Sequence, residues 1–450
     1  MKNIILIKIL KESLEKKNQK RIKEILKTTH IVDIAKILNQ MDKDERISLY
    51  KIMNGEELAE LLPEISTDLQ EEVITNTNNN KIKIMLEEMS NDDIVDIFGE
   101  LSEEEVKNLM SLLDEDEREE VLKLQNYEKD TAGGLMTTNY FSVITGTKIK
   151  DVITKLRNNV NEKETVYYVY VLGEKGKKIL GIVSLRELII KNPNIEINHV
   201  MKTNIISVRA SEDQEAVAKV FSKYDLLAIP VIDEQSYLLG IITVDDVLDV
   251  IQEEATEDIY RMAGLTEEDM DEDGSVFTSV RIRLPWLMVS LVGELFSANI
   301  MQSFSGVLEK LVSLAFFVPL IMAMGGNSGS QSSAVMVRKI ALDEIGDNKI
   351  KKTMRKEMFA GILLGLISGM IVAFIVYGWH RDKVLAPIIG IALFLAIAFA
   401  ATFGTIIPLV FHKLKIDPAV ASGPFITTLN DVGGLLIYFG LATVMLGIVG

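Results

Sequence analysis

The chain has 450 residues, 48% hydrophobic and 25% charged, with a formal net charge of −17 and no cysteine. Its charge is divided unevenly: residues 281–450 hold 14 Lys+Arg against 9 Asp+Glu, whereas 1–280 hold 34 against 56, a net of −22. So anionic a front half excludes nucleic acid and anionic lipid surfaces as its partners and favours cations. The lack of cysteine excludes disulfides, thiolate zinc sites, iron–sulfur clusters and cysteine nucleophiles. His30, His199, His380 and His412 form no pair at ligand spacing. A bound metal therefore needs oxygen ligands, which selects a hard ion such as Mg²⁺, Ca²⁺ or Mn²⁺.

The opening MKNIILIKIL is interrupted by Lys8 and has no small-residue cleavage site. It predicts the first turns of an amphipathic helix and a cytoplasmic N-terminus. Residues 1–126 predict an all-α, acidic domain. Apolar residues recur at three and four, as in Ile34, Ile37, Leu38, Met41, then Leu58, Leu61, Leu62, Ile65, then Ile94, Ile97, Phe98, Leu101. Between 87 and 120 stand 15 acidic and 2 basic residues, read from charge alone as a solvated helical face.

At 127–134 the helical period breaks, and two copies of one pattern follow. The first holds Leu135-Met136, Ser142-Val143, a strand at Val169–Val171, and Leu180-Gly181-Ile182-Val183-Ser184 before a helix. The second holds Val200-Met201, Ser207-Val208, Ile229-Pro230-Val231, and Leu239-Gly240-Ile241-Ile242-Thr243 before a helix. This small α/β unit used twice resembles a tandem pair of CBS domains. Thr243 and Asp246 give the Thr-x-x-Asp spacing that such modules set against ribose and phosphate; the first copy has Ser184 and Glu187 instead.

Five apolar stretches follow, at about 284–304, 311–337, 358–378, 384–411 and 424–449, each near the ~20 residues a spanning helix needs. Eleven basic residues flank one side (Arg281, Arg283, seven in 338–356, Lys413, Lys415) and three the other (Lys310, Arg381, Lys383). This bias predicts a cytoplasmic front half and an external C-terminus. Asp431 lies in PFITTLNDVGG at the start of the fifth stretch. An ionised carboxylate at membrane depth costs at least ~2.5 kcal/mol, so its default reading is functional. The alternative is a helix-end Asp reaching the interface; Thr427, Thr428 and Asn430 beside it favour the first. A second polar island spans Gly325 to Ser333, with Asn327 and Gln331. In the first stretch Glu294, Asn299 and Gln302 face something other than lipid, and Glu294 suits a hydrogen bond within the bundle.

Between the repeats and the first span, Asp246, Asp249, Glu253 and Glu257 are spaced three, four and four, on one helical face. Each like-charged pair costs ~0.2–0.5 kcal/mol in an isolated helix, which a divalent cation would reverse. The bland reading is an acidic linker.

Nearly the whole chain resembles the MgtE-type magnesium channels. The resemblance is carried by YEKDTAGGLMTT (127–138), TVDDVLDVIQEEATEDIYRMAG (243–264), GGNSGSQSSAVMVRK (325–339) and DPAVASGPFITTLNDVGG (417–434). It implies a multi-domain membrane protein: an acidic, superhelical all-α N domain (1–126), CBS repeats at 127–196 and 197–252, an acidic plug helix and linker (253–280), and a five-helix transmembrane domain (281–450). It also implies a homodimer in the plasma membrane that takes up Mg²⁺ through a pore between the membrane domains. Asp431 would hold the hydrated ion, with Asn327 and Gly326 lining the path and Asp417 near its cytoplasmic mouth. Regulatory Mg²⁺ would bridge Asp92, Asp96, Asp225, Asp246, Asp249, Glu254, Glu257 and Asp258, with Asp93 competing beside the first two. An adenine nucleotide such as ATP would occupy the CBS pair. Two other functions fit the residues less fully: a secondary transporter for Co²⁺ or Mn²⁺, and a membrane nucleotide sensor without transport. No nucleophile–base pair or phosphate loop supports an enzyme.

Overall fold

Short amphipathic helices fill the first 124 residues of the computed structural model, which describes residues 2–159, 165–266, 276–341, 347–420 and 423–449. They are α1 (Lys2–Glu15), α2 (Gln19–Thr28), α3 (Ile31–Leu38), α4 (Lys43–Ile52) and α5 (Gly55–Leu61). After these come α6 (Thr67–Asn76), α7 (Asn79–Glu88), α8 (Asn91–Glu100), α9 (Glu103–Met110) and α10 (Glu115–Leu124). All twelve residues of the three apolar sets named from the sequence are buried in one continuous core. Part of the acidic excess is spent on helix starts. Asp42 with Glu45, Asn54 with Glu57, Ser102 with Glu105 and Asp114 with Glu117 each form a capping box. In each, the third-position glutamate accepts from the cap's N–H while favouring the positive helix end.

The repeat region adds α11 (Ala132–Leu135), β1 (Tyr140–Ile144), α12 (Ile149–Asn159), β2 (Thr165–Leu172), β3 (Ile179–Ser184) and α13 (Leu185–Ile190). The second copy adds β4 (Val208–Arg209), α14 (Gln214–Tyr224), β5 (Ala228–Ile232), β6 (Leu238–Thr243) and α15 (Val244–Met262). The two sheets share one topology: a parallel pair, β1–β2 or β4–β5, followed by an antiparallel pair, β2–β3 or β5–β6. Val171 opposes Gly181 in one and Val231 opposes Gly240 in the other, each with a register irregularity at the next residue.

One assignment differs from the sequence reading. Leu135-Met136, grouped there with the first repeat, packs into the core of the second, and Met201, grouped with the second, packs into that of the first. Thr137 bridges Ile241 and Lys202 bridges Ile182. A Cβ on Gly240 would stand 2.6 Å from the Thr137 carbonyl, and one on Gly181 would stand 2.7 Å from Met201. Each glycine thus marks where the other copy's lead-in segment crosses its sheet, a tertiary choice that local pattern does not encode.

Residues Met1–Ile251 form one compact unit and Gln252–Gly450 a second. The second is built from α16 (Val276–Ser303), α17 (Ser305–Lys310), α18 (Val318–Ala341), α19 (Asp347–His380), α20 (Leu385–Lys413) and α21 (Pro424–Val449). Among the described residues, five of its helices are long and apolar enough to cross a membrane. The central one is α20, which lies against α18, α19 and α21. Backbones touch where α18 meets α20, at Gly329 and Gly404, and where α19 meets α20, at Gly369 and Gly390. Small residues let helices approach this closely where lipid gives no hydrophobic drive. Beyond this contact, Tyr438 is fully buried and donates to the Leu314 carbonyl at 2.9 Å, while Phe439 stacks on Phe304 at 5.6 Å.

Filling the space at Gly240 sets a side chain against backbone rather than against a yielding tip. Gly240→Val is expected to cost about 1–3 kcal/mol and to lower the Tm of the purified chain, measured by calorimetry. Gly99→Ala is expected to leave it unchanged or raise it, because nothing lies within 4 Å of that position.

Candidate functional site

Three acidic places emerge, two at helix ends and one within the apolar helices. The first is in Met1–Ile251. Ser90 caps α8, its Oγ accepting from the Asp93 N–H at 3.4 Å. Asp92 and Asp93 therefore occupy the first turn, where the helix dipole favours negative charge. The buried Asn91 donates to Glu120 on α10 and to Thr138, both at 2.8 Å, and Thr138 donates to Glu120 at 2.9 Å. These bonds fix α8 against the segment after α11. Asp246 stands at the start of α15 and accepts from the Thr243 hydroxyl at 2.6 Å and its N–H at 3.2 Å.

Burial, with Asp93 beside it, pushes the Asp92 carboxyl up to about 6. Burial and then the charges of Asp92 and Asp245 push Asp246 up to about 7, against the bond from Thr243. Asp93 is raised by burial and by Asp246, Asp96 and Asp245. Asp92, Asp93 and Asp246 take part in no ion pair among the described residues, and Asp92 Oδ1 is buried without a hydrogen-bond partner. Those features suit a cation. Among the described residues, however, no three Asp, Glu or His side chains converge closely enough to hold a bare metal ion. Carboxylates spaced more widely suit an ion that keeps its water shell. Of the other regulatory candidates in this unit, Asp225 is exposed at the left-handed C-cap of α14 (φ +50°) and Asp249 is exposed on α15.

The second place is the end of α15, in Gln252–Gly450. Arg261 pairs with Glu257 on its own helix and with Asp417 in the segment between α20 and α21. Asp417 also accepts from the Ala419 N–H at 2.8 Å. Two carboxylates expected to serve ions thus share a protein cation. Gly264, just past α15 at φ +73°, would place a Cβ 3.3 Å from the Trp286 ring and 3.6 Å from Pro424. Glu254 and Asp258 are half-buried on the same stretch of α15.

The third is in the membrane helices. Asp431 is 5% exposed, and Asn430 is 2% exposed with both amide atoms unpartnered. Glu294 of α16 lies within hydrogen-bonding reach of Asp431. Asn430 sits over Gly329, and Gly326 faces Thr427 at van der Waals distance. Asn327 is exposed on α18. Of the polar island around it, Ser332 bonds Glu357 at 3.3 Å and Ser328 the Ile397 carbonyl at 3.4 Å, whereas Ser333 is fully buried and unpartnered.

The nucleotide residues named from the sequence, Thr243 and Asp246, are engaged at a helix start, as Ser184 is with Glu187 in the first copy. Thr243 is buried and bonded to Asp246. A cleft of about 400 Å³ instead opens at the matching end of the first repeat, lined by Tyr167, Tyr168, Ser184, Arg186 and Leu227. The sequence reading passed over Asp245 and Arg261, and left Glu294 without a partner. Their signal was present only as charge, because which helices meet is not written in any one helix.

An acidic helical domain, a CBS pair and five apolar helices define a membrane transporter of cations. Residues 318–441 match the divalent cation transporter family, 29–130 match the MgtE intracellular N domain, and 132–192 and 197–253 match the CBS domain. The magnesium transporter MgtE of Bacillus subtilis is 35% identical over 411 residues, covering 91% of each chain. That of Enterococcus faecalis is 38% identical over 440 residues, 97% of this chain and 96% of the relative. The chain belongs to the MgtE family of magnesium transporters. Among solved structures, the cytosolic domain of the Mg²⁺ channel MgtE in complex with ATP is similar at a TM-score of 0.52 and 35% identity. It spans 54% of this chain and 98% of its own.

In an acid whose pKa is raised by the fold, protonation stabilises the fold. The stability is complete below the unfolded value, near 3.9, and lost as pH rises through about 7 for Asp246 and about 6 for Asp92. In Mg²⁺-free buffer, lowering the pH from 8 to 6 is therefore expected to raise the hydrogen-exchange protection factors of α8 and the start of α15, after correction for the intrinsic pH dependence of exchange. Asp246→Asn is expected to flatten that pH dependence.

Proposed function

We propose that this MgtE-family transporter is a Mg²⁺-selective channel of the plasma membrane, assembled as a homodimer, that admits Mg²⁺ and closes when cytosolic Mg²⁺ is high. The observation that carries the reading is Asp431, a buried carboxylate in an apolar helix with no ion-pair partner among the described residues. Carboxylate and amide oxygens that accept from the ion's water shell bind it without stripping that shell, which keeps release fast. Asn327, Gly326 and the neighbourhood of Asp417 would line the path. The basic bias of the flanking segments supports a cytoplasmic front half and an external C-terminus.

Closure follows from charge. Asp92, Asp93, Asp96, Asp245 and Asp246 repel one another at low cation concentration, and neutralising them draws α8 and the start of α15 together. Asp225, Asp249, Glu254 and Asp258 would add to this sensor, and Glu257 would join it on leaving Arg261. The equilibrium shifts only because the compact state binds cation more tightly than the separated one. A nucleotide reading also has its own observation. The cleft at Ser184 and Arg186 has an aromatic wall for a base and a guanidinium for phosphate. It suits an adenine nucleotide such as the ATP in the similar cytosolic domain.

Inward Mg²⁺ flux into proteoliposomes tests the reading. Asp431→Ala is expected to lower the flux by at least about tenfold, an effect of ~1.4 kcal/mol or more, and raising Mg²⁺ on the face bearing residues 1–251 is expected to shut off the parent. Flux indifferent to Asp431 removes the pore assignment. Binding of nucleotide without any flux favours the sensor.

A further inference from the structure

The seam between α16 and α21 holds a second carboxylate. Glu294 approaches Asp431 within hydrogen-bonding reach. Ionised carboxylates only accept, so a positive charge belongs between them. No basic side chain supplies it: neither acid takes part in an ion pair among the described residues. Two other polar groups near the pair lack partners. Ser297, one turn beyond Glu294, is 3% exposed with its Oγ unbonded, and Asn430, beside Asp431, has both amide atoms unbonded. The buried positions of α16 are Gly293, Ser297 and Ile300, and Gly293 meets Thr428 of α21. The stripe carrying the Ser297 hydroxyl is therefore the one turned towards α21 and Asp431. Glu294 stands at its edge and is exposed in the single chain. Acceptors and a hydroxyl left unbonded at membrane depth are costly unless something polar comes to them.

We propose that Glu294 is a second ion-holding carboxylate of the Asp431 site. It accepts, with the Ser297 hydroxyl, from the water shell of a permeating divalent cation. The inference rests on the reading of Asp431 as the ion site. Two carboxylates attract a doubly charged hydrate twice as strongly as a singly charged one at the same distance, so the pair favours Mg²⁺ over Na⁺ or K⁺. Losing Glu294 alone weakens loading of the site and leaves Asp431 to conduct.

The test uses the full chain in proteoliposomes, with Mg²⁺ flux measured across a concentration series and Na⁺ flux measured with Mg²⁺ absent. Glu294→Gln is expected to raise the half-saturating Mg²⁺ concentration about tenfold, to keep most of the maximal flux, and to raise the ratio of Na⁺ to Mg²⁺ flux. Glu294→Asp is expected to recover most of the parent's values. Ser297→Ala, which keeps both acids, is expected to give a smaller shift in the same direction, and it carries the test if Glu294→Gln does not elute as a folded protein. If Glu294→Gln keeps the parent's curve and ion ratio while Asp431→Asn abolishes flux, Glu294 is a packing residue and the proposal is overturned. If Asp431→Asn also conducts like the parent, the pore reading itself fails, and this one with it.

Discussion

Carboxylates that no lysine or arginine neutralises repel one another by ~1 kcal/mol at about 4 Å in water and by several times more where water is scarce. A fold that gathers them is stable only when a cation or a proton joins them, so its shape becomes a function of solution composition. Two of the acidic places in this chain have that character. Asp92, Asp93 and Asp246, at the starts of α8 and α15, are held half-buried, with Asp92 Oδ1 unbonded. The Glu294–Asp431 pair lies among helices apolar enough to cross a membrane. At the end of α15 the chain supplies its own cation, Arg261, and there the contact between helix and loop needs nothing from solution.

The acidity of the first half is thus not one property. Glu45, Glu57, Glu105 and Glu117 are engaged in capping helices. They would be needed in any bundle of short helices, where each start leaves orphan N–H groups. The aspartates near Thr137 and Thr243 are a different population, gathered by tertiary packing at some cost to their ionisation. A count of acidic residues between 87 and 120 does not separate the two, and a solvated face was a fair reading of the first population but not of the second.

What the sequence made legible follows the same line. Periodicity identified the buried faces: Ile34, Leu58, Ile94 and their companions are core residues, and the strand–glycine–strand signature located both sheets. The five apolar helices followed from length and hydropathy, which depend on nothing beyond the segment itself. Asp431 stood out because a charge in an apolar run is conspicuous anywhere. Glu294 stood out for the same reason, but its partner did not, since that depends on how α16 lies against α21. The cleft beside Ser184 is likewise a tertiary feature, its wall drawn from Tyr168 and from Leu227 of the other copy. Thr243 with Asp246 and Ser184 with Glu187 close on themselves in the same way at the two helix starts, and the cavity opens beside the second pair. A motif states which atoms are available and not whether they are already engaged.

The crossing of the two lead-in segments bears on how the molecule comes into being. During synthesis the first sheet emerges complete in sequence but lacks the strap that Met201 and Lys202 lay across it, and the strap at Met136 and Thr137 waits for a sheet that ends at Thr243. The first copy closes only after the lead-in of the second has emerged at Lys202, and the second closes only when Thr137, 104 residues before Ile241, returns to it. Two modules that look like beads on a string are, in assembly, a single clasp. A ribosome pausing between them would hold out an unfinished half with its sheet glycine bare.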